Sequence, residues 1–340
     1  MSLNNENDNK VPVTWGNFVP YGSIENLRNA TKQFKIDVDV LNSCEWIATE
    51  KIDGVNFSFH TNGHEIKCAR RNDFLEPNEK FNDYQSILEK YKTKVLSFYK
   101  LMQSKNLIKG EMIVIYGELF GGKKTGVYYS PKKDFMIFDV FDGLDLIDFD
   151  IMEELLNEID LPYLKPLIRD NYQNIINYNP KFITTIPNLL GCPPPSYENI
   201  AEGIVIKPVK NIRTSRGDRV IIKIKPSEFE ERTKNPEKSN KKSNKEKTPI
   251  DIVKTNLFEF INKNRLNSVI SKLGTEDKND EMKLANLLYD DAMVDFMKDE
   301  ELKTKFLELP DNKKEIVKRA GVSKSSHVIK EHLKSLLSDE

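Results

Sequence analysis

The stretch ATEKIDGVNFSFH, residues 48–60, places Lys51 two residues before an Asp53-Gly54 pair, with alternating apolar residues on both sides. Alternation with a period of two is typical of half-buried strands, and Asp-Gly is a preferred two-residue hairpin turn. The stretch therefore predicts a β-hairpin. Lys51 is then either a charge at the tip of that hairpin or a nucleophile that the hairpin holds in place.

Further strand-like runs follow along the chain. Short β-branched runs bounded by turn residues occur at 112–120 (MIVIYGELF), 134–141 (DFMIFDVF), 202–209 (EGIVIKPV) and 219–225 (RVIIKIK). Residues 85–104 and 147–160 have helical periodicity. Because strands and helices do not alternate regularly, we predict an α+β fold of antiparallel sheets with flanking helices.

The sequence changes character after residue 234, where lysine, asparagine, serine and proline dominate. Beyond it, helical periodicity continues to the end, with Gly274 at a predicted helix C-cap. We therefore expect a disordered N-terminus at 1–14, an α+β domain at 15–234, a basic linker at 235–249 and a small all-helical domain at 250–340.

Composition narrows the class of protein. The 340 residues carry a net charge of −1, yet residues 207–247 hold fourteen Lys/Arg against six Asp/Glu, a basic tract suited to a polyanion or simply a solvated linker. Three scattered cysteines and four histidines form no zinc pattern and indicate a reducing compartment. No signal peptide and no apolar run of 18 residues is present, so we expect an intracellular, cytoplasmic protein, of cellular, viral or phage origin.

Six charged side chains, Lys51 and five others, are candidates for catalytic or binding roles. Lys223 and Lys225 share one strand face, Glu202 precedes Lys207 by five residues, and Glu118 lies on the strand of YGELFGG. Each has a plain alternative: Glu118 as an exposed strand residue, the lysine pair as solvent-facing charges on an edge strand. Glu202 must sit at a strand start or a bulge, which Gly203 permits.

Together these residues have the composition of a nucleotidyl-transfer site. A lysine amine attacks phosphorus only when neutral, and neighbouring cations favour that form. The ammonium groups of Lys51, Lys207, Lys223 and Lys225 would bind a polyphosphate, and two carboxylates would hold a magnesium ion or its waters.

The motifs EKIDG, ARRNDF, YGELFGG, DFMIFDV, AEGIVIKP and VIIKIK, in this order, resemble those of covalent lysyl-nucleotide enzymes. Within that superfamily the chain resembles the double-strand nick-sealing RNA ligases, the phage type 2 RNA ligase and the kinetoplastid RNA-editing ligases, from about Trp15 to the C-terminus. One departure is Asp53, where the phage enzyme has histidine.

The resemblance implies a nucleotidyltransferase fold and a role for each matching residue. The catalytic residues would be Lys51, which forms lysyl-AMP, and Glu202, Lys207, Lys223 and Lys225. ATP would be bound by Glu50, Ile52, Asn56, Arg71, Glu118, Phe138 and Val205, with Phe138 and Val205 on the two faces of adenine. A Mg²⁺ or Mn²⁺ ion would be held by Glu202 and Glu118.

The resemblance implies an ATP-dependent RNA ligase that seals 3′-hydroxyl/5′-phosphate nicks in duplex RNA, or in an RNA–DNA hybrid, as a monomer without a membrane. Alternatives are an ATP-dependent DNA ligase or a GTP-using mRNA capping enzyme, which place an OB barrel after the lysine pair, where this chain has no run of strands. A non-catalytic duplex-RNA-binding protein on a ligase scaffold is the alternative from another class. We expect the helical domain to matter for sealing more than for self-adenylylation.

Overall fold

The strand that precedes Lys51 belongs to a five-stranded sheet. The structure is a computed structural model that describes residues 16–27, 41–122, 126–214, 216–232, 248–271, 273 and 280–338. The sheet has the order β1 (Glu25–Asn26), β9 (Ile222–Ile224), β8 (Ile204–Pro208), β2 (Glu45–Glu50), β7 (Pro166–Asn171). β1 runs parallel to β9, and the other neighbours are antiparallel.

A second, four-stranded sheet carries the residues after Lys51. It is antiparallel throughout, in the order β4 (Ile66–Arg70), β3 (Val55–Thr61), β5 (Ile113–Gly121), β6 (Lys133–Phe141). Two predicted helices, α1 (Tyr84–Ser104) and α2 (Phe149–Ile159), share its hydrophobic core. Short helices α3 (Tyr172–Ile176) and α4 (Ile186–Leu189) follow. The predicted antiparallel sheets with flanking helices are confirmed.

The predicted hairpin at Asp53-Gly54 is wrong, because β2 and β3 lie in different sheets. Residues 46–50 are all buried, so β2 is covered on both faces, whereas an alternating hairpin strand exposes one of them. At Gly54 a Cβ would lie 2.5 Å from the carbonyl oxygen of Leu119 on β5. Glycine therefore serves here to let the chain pass close to β5 as it changes sheets, not to form a tight turn.

The strand predicted at 219–225 is shorter than expected. Its ladder with β8 covers only Ile222–Ile224, paired with Ile204–Ile206. The neighbouring Glu202 and Gly203 lie just before β8, in agreement with the expectation that Glu202 stands at a strand start. Lys225 and Glu202 therefore lie just beyond the end of the ladder. Both side chains can line a cavity there.

The chain beyond Thr248 forms helices α5 (Pro249–Glu259), α6 (Lys263–Ser271), α7 (Glu281–Lys298), α8 (Glu300–Leu307) and α9 (Asp311–Ser338). We call them the helical region. Thr248 caps α5 by accepting a hydrogen bond from the Asp251 amide. The region has its own hydrophobic core, drawn from residues 253–329. The predicted helical C-terminal part is confirmed.

Some expectations fall outside the described residues. They are the disordered N-terminus at 1–14, nearly all of the linker at 235–249 and the C-cap at Gly274. In the part of the chain that is described, none of the helices is long and apolar enough to cross a lipid bilayer.

Candidate active site

The two sheets and the helical region together line a cavity of about 520 Å³. All twelve residues that the sequence singles out reach it: Glu50, Lys51, Ile52, Asn56, Arg71, Glu118, Phe138, Glu202, Val205, Lys207, Lys223 and Lys225. They come from positions up to 175 residues apart in the chain. The fold therefore brings the whole predicted set into one enclosure.

Lys51 and Glu202 meet where β2 ends and β8 begins. The Lys51 amide donates a 2.8 Å hydrogen bond to the carbonyl oxygen of Gly203, which extends the β2–β8 pairing by one step. Lys51 Nζ then lies 2.5 Å from Glu202 Oε2. Gly203 has φ +142°, and a Cβ there would overlap the carbonyl oxygen of Ile224. Only glycine allows β8, β9 and this ion pair to come so close.

Lys223 on β9 and Lys225, the residue just after β9, form the lysine pair. Both line the same end of the cavity. Lys225 Nζ is 2.8 Å from Glu202 Oε1 and 2.9 Å from Glu231 Oε1, and Lys223 Nζ is 3.8 Å from the same Glu231 oxygen. Burial lowers the pKa of Lys223, and the charges of Lys225 and Lys51 lower it further. Burial also acts against the charge of Lys225, but Glu202 and Glu231 outweigh it and hold the pKa of Lys225 above its ordinary value.

Lys207 lines the cavity but is tied to a different carboxylate. Its Nζ lies 2.7 Å from Asp139 Oδ1 and donates a 2.7 Å bond to the carbonyl oxygen of Phe138. Arg219 and the hydroxyl of Tyr21 bind the other sides of Asp139. Burial lowers the pKa of Lys207 to about 8. The four predicted ammonium groups thus form two clusters, because strand β8 points Lys207 toward β6.

Two further carboxyl groups face Lys51. Glu118 on β5 stands opposite Asn56 on β3 in the ladder. Burial raises the pKa of Glu118 to about 8, against the attraction of Lys51. Burial and the nearby Glu202 raise the pKa of Asp53 to about 6. Glu118 and Asp53 therefore ionise less readily than exposed carboxyl groups, and a cation bound beside them would favour their charged forms.

The donor set was predicted to hold a metal ion through Glu202 and Glu118. Among the described residues, no three Asp, Glu, His or Cys side chains converge as a protein cage for a metal would require. Both oxygens of Glu202 are already paired, with Lys51 and Lys225. Two carboxylates in one cavity fit an ion such as Mg²⁺ that keeps most of its water and shares phosphate oxygens.

The remaining predicted residues line a second part of the cavity wall, to which both sheets contribute. Phe138 on β6 packs on Tyr21 with ring centroids 4.7 Å apart, and Val205 on β8 lines the same space. Arg71 Nη2 donates a 3.2 Å bond to Ser23 Oγ. This wall combines an aromatic face, an aliphatic face and a guanidinium, which suits a planar base with a polar sugar.

Arg71, rather than its neighbour, reaches the cavity. Arg70 is held outside by Asp73, with Nε 2.5 Å from Oδ1, and by Glu79. Successive strand residues point to opposite faces, so only one of the two arginines can face the cavity. The structure thus agrees with the register expected from the motif.

Glu50 and Ile52 flank Lys51 on either side. The Glu50 side chain is 1% exposed and accepts bonds from the hydroxyls of Thr184 and Thr185 and from the Thr185 amide. Burial raises the pKa of this carboxyl group. Ile52 is buried in an apolar cluster. Both side chains are thus occupied in packing, and their main-chain groups are what a ligand could contact.

Sequence reasoning missed several residues that line the cavity: Tyr21, Ser23, Glu25, Asp53, Asp139, Glu231 and Arg265. Asp139 carried a signal, since it is a charge inside the apolar run FMIFDVF. Glu231 carried none, because it lies beyond the last strand-like run and just before residue 234, where the sequence changes character. Arg265 lies on α6, more than 30 residues after Glu231 in the sequence. Only the three-dimensional structure shows that it lines the same cavity.

Comparison with known proteins gives two family matches. The RNA ligase model matches residues 44–225, and the T4 RNA ligase 2 C-terminal model matches residues 244–327. The second match falls on the helical region. Together they confirm the resemblance to the nick-sealing RNA ligases drawn from the motifs.

Relatives named RNA-editing ligases match most of the chain. Mitochondrial RNA-editing ligase 2 of Trypanosoma brucei brucei is 28% identical in a match that covers 76% of this chain and 78% of the relative. Mitochondrial RNA-editing ligase 1 of the same organism is 26% identical in a match that covers 85% of this chain and 77% of the relative. A cytoplasmic location for this chain stays a prediction.

Solved structures of a Naegleria gruberi RNA ligase are also similar, at 14% identity. A mutant with ATP and Mn gives a TM-score of 0.46, and the protein with PPi gives 0.44. Each match covers 63% of this chain and 58% of the Naegleria chain.

The RNA ligase model spans more than half of the 340 residues and includes Lys51, Glu118, Glu202 and the β9 lysine pair. An RNA ligase enzyme, as expected from the motifs, is confirmed at the level of the family. This chain belongs to the RNA ligase family.

Proposed function

We propose that the chain is an ATP-dependent RNA ligase that seals 3′-hydroxyl/5′-phosphate nicks in duplex RNA through a lysyl-AMP intermediate. The observation that carries this proposal is the position of Lys51. Its Nζ lies 2.5 Å from Glu202 inside a cavity that also holds Lys223 and Lys225. A hairpin-tip charge would instead face solvent.

The first step is transfer of AMP to the enzyme. Lys51 Nζ attacks the α-phosphorus of ATP and loses a proton, and the bond from that phosphorus to the bridging oxygen breaks, which releases pyrophosphate. Glu202 keeps the amine in place and can hold its proton on Oε2. Lys223 and Lys225 would stabilise the charge that develops on the phosphate oxygens. Lys207 would act from the far end of the cavity.

Two more steps complete the reaction. An oxygen of the RNA 5′-phosphate attacks the AMP phosphorus, and the bond to Lys51 Nζ breaks. The RNA 3′-hydroxyl then attacks the 5′-phosphorus, loses its proton and expels AMP. Each step is a displacement at phosphorus, so the same positive wall serves all three.

The part of the wall that Phe138, Val205 and Arg71 line would select the nucleotide. Phe138 and Val205 would enclose the adenine ring, and Arg71 and Glu118 would contact the ribose. Asn56 would contact phosphate. The main-chain groups of Glu50 and Ile52 would meet the adenine edge, because their side chains are occupied elsewhere.

A Mg²⁺ or Mn²⁺ ion fits this site when it is shared with phosphate oxygens. Glu202 and Glu118 would hold it or its waters. When bound, the ion would neutralise negative charge on the phosphates and favour displacement.

The substrate proposal rests on the helical region. In the part of the chain that is described, every regular element beyond Thr248 is a helix, so an OB barrel of a DNA ligase or capping enzyme has no counterpart there. The match to the T4 RNA ligase 2 C-terminal model favours duplex RNA, recognised through its A-form shape and 2′-hydroxyls. An RNA–DNA hybrid would be a second substrate, and we propose that the enzyme acts as a monomer.

Intact mass spectrometry after incubation with ATP and magnesium tests the proposal. We expect a gain of one AMP in the parent protein and in Lys92→Ala, which removes an exposed lysine of α1. Lys51→Ala should show no gain, and GTP should not replace ATP. The labelled protein should then seal a nicked RNA duplex.

Two outcomes would overturn the proposal. Absence of the adduct, after treatment with pyrophosphate to remove pre-bound AMP, would leave a non-catalytic RNA-binding protein, which salt-dependent binding would support. An adduct that forms with GTP instead would favour a capping enzyme.

A further inference from the structure

Glu231 lies where the lysine pair meets the helical region. Its side chain is 9% exposed, and its Oε1 lies 2.9 Å from Lys225 Nζ and 3.8 Å from Lys223 Nζ. Its Oε2 lies 3.8 Å from Nη2 of Arg265 on α6. Burial acts to raise the pKa of Glu231, but these three cations outweigh it and hold the pKa well below its ordinary value. One ionised carboxylate therefore serves cations from two parts of the fold.

Arg265 is itself fixed within the helical region. It is 2% exposed, with Nη1 2.6 Å from Asp291 Oδ2 and Nη2 2.8 Å from Asp295 Oδ2. Nη1 also donates a 3.0 Å bond to the carbonyl oxygen of Asp291. Both aspartates lie on α7, so the packing of α6 on α7 sets where the guanidinium stands.

Two asparagine side chains at the start of α6 hold the main chain around Glu231. Asn262 Nδ2 donates a 2.9 Å bond to the carbonyl oxygen of Glu231. Asn264 Nδ2 donates to the carbonyl oxygens of Glu228 and Glu230, at 2.9 and 3.0 Å. The helical region thus holds both the backbone and the carboxylate of Glu231.

A chain of alternating charges results. Successive pairs are separated by 2.5, 2.8, 2.9, 3.8 and 2.8 Å. They run from the nucleophile to α7 in the order Lys51, Glu202, Lys225, Glu231, Arg265, Asp295. Within this series the side chain of Glu231 connects Arg265 to the lysine pair.

We propose that Glu231 is a positioning residue through which the helical region sets the lysine pair for AMP transfer to Lys51. This inference rests on the proposed function. Lysine is a point charge on a flexible stem, so its contribution to a transition state depends on what holds its ammonium. Glu231 is the ion-pair partner that the described residues provide for Lys223, and it shares Lys225 with Glu202. The helical region then assists the first step as well as RNA binding.

Single-turnover AMP transfer in the full-length protein tests this. Glu231→Gln keeps the size of the side chain and removes its charge. We expect the rate constant at saturating ATP to fall by about 10- to 100-fold, the scale of a misplaced catalytic group. The ATP concentration at half-saturation should change by less than about 3-fold, because the base and ribose wall is untouched. The labelled fraction at completion should equal that of the parent.

The controls separate positioning from folding. Glu230→Gln removes a neighbouring, exposed negative charge and should transfer AMP at the parent rate. Glu231→Asp keeps the charge and should recover part of the lost rate. A Glu231→Gln protein with a normal rate constant and a lower labelled fraction would overturn the inference, because Glu231 would then only help the chain fold. A parent that takes up no AMP would overturn the proposed function itself.

The link to the helical region has its own test. Arg265→Lys keeps a positive charge but loses the fork that binds Asp291 and Asp295. If Arg265 acts through Glu231, the double variant with Glu231→Gln should be no slower than Glu231→Gln alone. Fully additive losses would overturn this link. The result for Glu231→Gln decides the positioning claim even if the Arg265 variant does not fold.

Discussion

The two sides of the cavity are held in place by different interactions. On the strand side, Thr49, Val205 and Lys223 lie in register across β2, β8 and β9, so main-chain hydrogen bonds fix where their neighbours stand. The helical side is joined to the strand side by side-chain ion pairs. Arg265 reaches Glu231, and Arg232, which precedes the helices, reaches Glu259 and Asp299 at 3.4 and 3.3 Å. The strand side is therefore specified by the register of a ladder, whereas the helical side depends on contacts between side chains that are distant in the sequence.

The largest expected effect is on the strand side. Lys225→Ala removes the ammonium that separates the carboxylates of Glu202 and Glu231 and leaves both facing an incoming phosphate. Removing one group that stabilises developing charge costs about 10² to 10³ in rate. We expect a loss of that size in single-turnover AMP transfer. Lys303→Ala, a half-exposed lysine of α8, should retain the parent rate, and a loss below about 10-fold in Lys225→Ala would remove the lysine pair from the mechanism.

This contrast also explains what the sequence could predict. The spacing of Lys223 and Lys225 places both on one strand face whatever the tertiary fold, and Glu202 before Gly203 marks a strand start. Local rules decide both, so both are confirmed by the position of these side chains in the cavity. The roles of these residues stay predictions.

The same local rules do not predict which residues distant in the sequence become partners in the fold. The Asp53-Gly54 pair satisfies the local pattern of a hairpin, but β2 pairs with β7 and β8 inside the five-stranded sheet. Asp139 and Lys207 are 68 residues apart, and no periodicity predicts their ion pair. The fold class follows from local preference, and the division of lysines into two clusters follows from tertiary pairing.

The second-largest expected effect is a loss of stability in the ladder between β8 and β9. Gly203→Ala forces a side chain into a positive-φ conformation and against the carbonyl oxygen of Ile224. We expect a loss of about 2–3 kcal/mol in unfolding free energy, measured by denaturant titration. Gly191→Ala is the matched control, since it has φ +65° but open space around it, and should cost about 1 kcal/mol. Equal losses would mean that β8 and β9 can separate without penalty.

Removal of the helical region tests the other side. A chain that ends at residue 249 keeps the strand-side residues but loses Arg265 and α7. We expect AMP labelling to continue at a rate reduced as in the Arg265 variant, and sealing of nicked RNA to fall about 10-fold further. The reason is that sealing also needs the duplex held in place. A thermal melt must first show that the shortened chain folds, and equal sealing by both chains would contradict a role for the helical region.

The smallest effect is a pH dependence at the junction between the two sides. The Glu231 carboxylate has its pKa depressed by Lys225, Lys223 and Arg265 in the folded chain, against burial, the largest influence, which acts to raise it. A carboxyl group whose pKa falls on folding stabilises the protein above its unfolded value of 4.5, and this contribution is lost as the pH drops below that value.

Glu231→Gln lacks this titration. The parent should therefore be more stable than Glu231→Gln at pH 7, and the gap should narrow by about 1 kcal/mol between pH 4.5 and 3.5, as one titrating group requires. The gap is the difference between the unfolding free energies of the two proteins, measured across this pH range. The other carboxylates are common to both proteins, so their contributions cancel in this difference. A gap that stays constant would mean that Glu231 gains nothing from its three cations. The link between the helical side and the strand side would then rest on other contacts, among them Arg232, the asparagine bonds and the pair of Lys298 with Glu25.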